Sequence, residues 1–96
     1  MKLTPQDTDL VGQWLMKNGT VVADPICRRI EWLIAKQLVQ LGADTSGWCE
    51  LYRDPNDGRL WELTWPQSDM QGGGPPRLTC LTDDAAQRKY GTIAIR

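Results

Sequence analysis

Few residues in this chain could do covalent chemistry, and their spacing argues against it. There is no histidine, and the three cysteines, Cys27, Cys49 and Cys80, are far apart with no C-x-x-C pair. A structural zinc site needs four ligands, which this set does not supply. Three scattered thiols do not make a disulfide framework either, and small core residues are their default reading. Without histidine, a cysteine nucleophile would require a less usual base. Carboxylate pairs remain: Asp54 with Asp57, or Glu62 with Asp69, could in principle serve acid–base catalysis. Yet Asp54 and Asp57 belong to Asp54-Pro55-Asn56-Asp57-Gly58, where they are more simply turn formers. Glu62 falls in mid-strand, where Arg53 or Arg77 is its simplest cross-strand partner.

The other chemical candidate is Gly72-Gly73-Gly74, which runs straight into Pro75-Pro76. A phosphate cradle needs free amides, a following Lys-Ser/Thr and a helix N-terminus. The prolines remove two amides, and neither the lysine nor the helix follows. Glycine permits positive φ and close backbone approach, proline fixes φ, and Gly74 is steered away from the α region by the proline after it. With Trp65 and Met70 nearby, 65–76 reads as a shaped loop rather than a linker.

The elements that must position these residues are legible from pattern. Asn18-Gly19 between apolar segments is a type I′ hairpin signal, predicting a hairpin over Leu10–Ala23. Asp24-Pro25 opens a helix as cap and first helical residue. Its stripe is Ile26, Cys27, Ile30, Leu33, Ile34, Leu38 and Leu41, and Gly42 supplies the stop. Arg28, Trp32, Ala35 and Val39 form a weaker strip on the other side, open either to cover by the N-terminal segment or to a partner. Trp48–Arg53 and Arg59–Trp65 are two strands joined by the Asp54–Gly58 turn. Trp61, Leu63 and Trp65 share one strand face, opposite Leu60, Glu62 and Thr64. Arg77–Leu81 is a further strand, Thr82 caps a short helix over Asp83–Tyr90, Gly91 ends it, and Thr92–Ile95 is a last strand or an ordered tail. The fold class predicted is α+β: an antiparallel sheet of about four to five strands, one main amphipathic helix packed on it, and a short C-terminal helix.

Ninety-six residues, 41% of them hydrophobic, suffice for one domain over 1–96 with a modest core. Five tryptophans and no phenylalanine mean that several indole N–H groups need water or a partner, which places some tryptophans at a core edge or a recognition surface. A net charge of −1 argues against direct binding of nucleic acid. Between Gly42 and Gln71, six carboxylates face only Arg53 and Arg59, a local net of −4 that is either a solvated edge or a landing surface for a basic partner. No apolar leader and no membrane-spanning run is evident, so a cytoplasmic protein without membrane contact is expected.

The run Leu51-Tyr52-Arg53-Asp54-Pro55, Asp57-Gly58-Arg59, Trp61-Glu62-Leu63-Thr64, Pro66-Gln67-Ser68, Met70 and Gly72–Pro76 resembles the immunity protein 27 family of bacterial polymorphic toxin systems. Gly12, Trp14, Asp24, Cys27, Arg29-Ile30 and Trp32-Leu33-Ile34 fit it as well. That family often has glutamate at the position of Asp69 and histidine at that of Gln71. The first difference keeps the charge; the second loses an imidazole but keeps hydrogen bonding. The resemblance implies stoichiometric blocking of a cognate toxin domain, a basic nuclease being one kind that fits, with no cofactor, no metal and no catalysis. Asp54, Asp57, Arg59, Glu62, Trp65, Asp69 and Gln71 are the residues expected to face the toxin, from a monomer or weak dimer. The competing expectation is a small enzyme or small-ligand-binding domain that uses the Gly72–Pro76 loop and nearby carboxylates.

Overall fold

A computed structural model describes residues 2–67 and 74–91. Its strands are β1 (Asp9–Val11), β2 (Trp14–Lys17), β3 (Thr20–Ala23), β4 (Val39–Ala43), β5 (Glu50–Arg53), β6 (Leu60–Thr64) and β7 (Arg77–Leu81); its helices are α1 (Pro25–Lys36) and α2 (Asp83–Tyr90). Five strands form one antiparallel sheet in the order β1-β7-β6-β5-β4, and β2 and β3 form a separate two-stranded sheet. This is the α+β architecture expected from the sequence, with a main helix and a short C-terminal one.

Cap chemistry sets both helix starts. Asp24 accepts a hydrogen bond from the Cys27 amide at 2.8 Å, with Pro25 as the first helical residue. Thr82 accepts from the Ala85 amide at 3.1 Å, and Asp83 and Asp84 lie in the first turn, where the helix dipole favours them. The hairpin turn has φ of 53° at Asn18 and 78° at Gly19, as a type I′ turn requires.

Two boundaries differ from expectation. The hairpin covers only Trp14–Ala23, because the chain breaks at Gly12 and Leu10 joins β1 against β7. A Cβ on Gly12 would lie 2.6 Å from the Cys27 sulfur and 2.7 Å from the Pro76 carbonyl, so only glycine passes there without displacing its neighbours. Helix α1 ends at Lys36 rather than at Gly42. The amides of Gln37 and Leu38 both donate to the Leu33 carbonyl, closing the helix, and Val39–Ala43 becomes an edge strand with a bulge between Gln40 and Gly42. Leu38 still reaches the core, while Leu41 lies against the other side of the sheet. Val39 is therefore not on the helix beside Arg28, Trp32 and Ala35; it is exposed on the sheet edge.

The sheet is covered on both faces, not one. Ile30 and Leu33 of α1 pack with Leu10, Leu38, Tyr52, Trp61, Leu63 and Leu78. Ala86 and Tyr90 of α2 pack with Leu51 and Leu60 on the opposite face. This explains the imperfect alternation of β5 and β6: Leu51 and Tyr52, and likewise Leu60 and Trp61, are adjacent in sequence yet buried on opposite sides. Thr92–Ile95 lies outside the described residues.

Candidate functional site

The residues expected to face a partner fall into separate places. The Asp54–Gly58 turn closes through the Asp54 amide donating to the Arg59 carbonyl (2.9 Å) and the Gly58 amide donating to the Asp54 carbonyl (2.7 Å). Gly58 takes φ of 78°, the left-handed end expected for this turn. Asp54 is 1% exposed. Its carboxylate accepts from the Asn56 amide at 2.9 Å and from the Gln37 side-chain amide at 3.1 Å, tying the turn to the end of α1. In this arrangement Asp54 builds the loop and offers no surface. Asp57 is exposed and accepts the Arg59 guanidinium at 2.6 Å.

Arg59 is heavily engaged. Its guanidinium lies 5.0 Å above the Trp61 ring and donates to the carbonyls of Asp7 (2.6 Å) and Thr4 (2.9 Å). Arg29 grips the same N-terminal segment, donating to the Lys2 carbonyl at 2.8 Å and the Asp7 carboxylate at 2.7 Å. Leu3 and Trp32 both pack against the core cluster. The N-terminal segment is thus a strap held by two arginines.

Hydrogen bonds from Arg29 hold the Asp7 carboxyl below its ordinary value of 3.8. At Asp57 burial pushes upward, but the bonds from Arg59 outweigh it and the net direction is again downward. A carboxyl depressed in the folded state stabilises the fold above the unfolded value and loses that contribution as pH falls through the folded one. We therefore expect the urea midpoint to be flat from pH 7 to about 5 and to fall steadily below about pH 4. An equal midpoint at pH 6 and pH 3 would count against these pairings.

Glu62 lies on the α2 face. It accepts from Lys89 Nζ and from the Tyr90 hydroxyl, both at 2.7 Å, so its partners come from α2 and not from Arg53 or Arg77. Arg77 instead pairs with Asp9 at 2.8 Å. The glutamate bond raises the Lys89 pKa, and burial followed by that same bond drives the Tyr90 hydroxyl far up, so the cluster stays fixed through the neutral range. Much of the acidic central segment is similarly engaged. Glu50 accepts from the Tyr52 hydroxyl at 2.7 Å, and Asp44 accepts from the Ser46 hydroxyl and the Gly47 amide.

Trp65 lies six residues along from Arg59, roughly 20 Å at strand rise, so the two do not form one patch. Trp65 is half-buried against the core and borders a mostly apolar cleft of about 250 Å³. Trp14 and Ala23 of the hairpin, Cys27, Ile30, Glu31 and Ile34 of α1, Leu63 of β6, and Gly74 with Pro76 complete its wall. Gly74 has φ of +76°, and a Cβ there would run into the Gln67 carbonyl, so the end of the glycine–proline segment is pressed against the chain leaving β6. Glu31, at the cleft, is exposed and has no ion pair among the described residues. Asp69 and Gln71 lie outside the described residues. No three metal-ligating side chains gather among the described residues, and no helix is long and apolar enough to cross a membrane.

Sequence reasoning missed the hairpin as a surface. Met16 is 71% exposed, Val21 54% and Leu15 45%. The missed signal was that β2 carries apolar side chains on both faces, while its four residues and four-residue partner build only a small sheet. Such a hairpin cannot hide them all.

No curated protein and no solved structure matches the chain. The family model described as immunity protein 27 matches residues 16–82, about two thirds of the chain and most of the cleft wall, and the protein belongs to that family.

Proposed function

We propose that this protein neutralises a toxin domain by forming a stoichiometric complex with it, the Trp14–Trp65 cleft receiving an anchor side chain of the toxin. Family membership implies a protein partner. The observation that carries the reading further is the cleft itself. At about 250 Å³ it lies below the usual 300–1,000 Å³ of small-molecule sites but suits one large side chain. Its tryptophan walls resemble the buried anchors that dominate protein interfaces, and the unpaired Glu31 suits a basic rim on the toxin. Asp69, Gln71 and Asp57, the last away from the cleft and paired with Arg59, are kept as further toxin contacts on this reading. Asp54 builds the turn that presents Asp57, and Glu62 fixes α2 on the sheet face away from the cleft. Inhibition on this reading needs no turnover and no cofactor.

The test is co-expression with the toxin domain encoded beside this protein. Wild-type protein is expected to restore growth and to elute with the toxin as a 1:1 complex. Trp65→Ala is expected to weaken the complex at least tenfold. Growth arrest undiminished by wild-type protein, with no complex at micromolar concentration, would overturn the reading.

A further inference from the structure

Among the described residues, five of the seven exposed large apolar ones (Val11, Leu15, Met16, Val21 and Ile26) lie between positions 11 and 26, the other two being Val39 and Trp48. Leu15, Met16 and Val21 lie on the hairpin itself, with Val11 at the end of β1 and Ile26 at the start of α1 flanking it, a clustering unusual for a surface that only meets water. The register of the hairpin separates its faces. Trp14, Met16, Val21 and Ala23 form one, continuous with the Trp65 cleft; Leu15, Lys17, Thr20 and Val22 form the other. Between this second face and the start of α1 runs a groove of about 360 Å³, lined by Leu15, Lys17, Val22, Ala23, Pro25 and Arg28, Ala23 bordering both it and the cleft.

The charges of this groove are its distinguishing feature. Arg29, Arg59, Arg77, Arg88 and Lys89 each meet a carboxylate, while Lys2 and Lys36, unpaired among the described residues, do not line the groove. Lys17 and Arg28 have no such partner among the described residues, although both border the same apolar groove. A complementary occupant therefore carries an apolar side chain to cover Leu15 and Val22, and carboxylates to meet Lys17 and Arg28. A second copy of this chain fits poorly, since groove against groove would bring like charges together.

We infer that the hairpin groove is a second contact surface for the toxin, seating an acidic segment with at least one exposed apolar side chain. This rests on the toxin-binding reading above. It differs in site and sign from the Trp65 cleft: the cleft takes an anchor with a basic surround, the groove an acidic stretch. Two contacts of opposite polarity on one partner also fix its orientation and exclude toxins that match only one of them.

The experiment measures affinity for the toxin domain with wild-type protein, Leu15→Asp, and the double variant Lys17→Glu with Arg28→Glu. Lys36→Glu serves as a charge control, about 12 Å along α1 from Arg28. Circular dichroism and thermal midpoints check that each variant is folded. The inference expects at least a tenfold loss for Leu15→Asp and for the double reversal, little change for Lys36→Glu, and slowed amide exchange at Leu15–Lys17 in the wild-type complex. Wild-type affinity in both groove variants would overturn it while leaving the toxin-binding reading intact. Failure of wild-type protein to bind the toxin would overturn both. Loss of a wild-type dimer in the groove variants, with toxin affinity unchanged, would assign the groove to self-association and overturn it too.

Discussion

Gly74→Ala is expected to be among the most damaging single-methyl changes available in this chain. Its φ of +76° already disfavours a side chain, and the added Cβ would be driven into the Gln67 carbonyl. Left-handed strain for a non-glycine residue costs on the order of 1–2 kcal/mol, and a backbone clash that shifts the loop adds a similar amount. The combined loss, about 3 kcal/mol, is a large part of the roughly 5–15 kcal/mol that holds a domain of this size. Because Gly74 also borders the cleft, a shift of its backbone away from Gln67 moves the wall beside Trp65. Two readouts are therefore expected to move together: the thermal midpoint and toxin affinity. A folded Gly74→Ala protein with a wild-type midpoint would show that the close approach to Gln67 does not shape the loop. Gly58→Ala makes the comparison, since Gly58 has the same φ but open space around its Cβ position. It should show the smaller, conformational loss alone.

The second large effect is at Trp61, which is 0% exposed and forms the platform under the Arg59 guanidinium. Trp61→Ala is expected to cost about 3–5 kcal/mol, the usual range for a buried aromatic truncated to alanine. It should also loosen the N-terminal strap, because Arg59 loses the surface on which it rests while holding the Thr4 and Asp7 carbonyls. Trp61→Phe is expected to behave very differently. The Trp61 indole N–H is buried without an acceptor among the described residues. Its removal relieves an unsatisfied donor, offsetting part of the lost packing, so the net change should stay below about 1.5 kcal/mol. Urea denaturation of the two variants separates these cases. A Phe variant as unstable as the Ala variant would mean that the indole N–H has a partner after all.

Local chemistry was readable in the chain, and distant chemistry was not. Asp24-Pro25, Thr82, Asn18-Gly19 and the Asp54–Gly58 turn each carry their cause within five residues, and each forms as expected. The end of α1 did not, because Leu38, Val39 and Leu41 satisfy a helical stripe and a strand equally well. Pairing with β5 decided the matter. Side-chain partners were hidden for the same reason. Arg59 finds Thr4 across 55 positions, and Glu62 finds Tyr90 across 28. The acidic bias of the middle of the chain was real as composition, but the fold engages most of those carboxylates internally. Trp65 does border the described end of the glycine–proline segment, at Gly74 and Pro76, as its place in sequence suggests; that Trp14 and Glu31 stand across from it depends on how the hairpin base folds over α1.

The hairpin shares no ladder with the five-stranded sheet and is anchored at its base, where the Asp24 amide donates to the Gln13 carbonyl at 3.0 Å. Its outer half can therefore change residues with little consequence for the core, in the manner of an antibody loop on its framework. On the proposed groove contact, residues 15–17 and 20–22 would form a replaceable reading head: a lineage could acquire a new antagonist there in a few substitutions, while the sheet and both helices remain as they are.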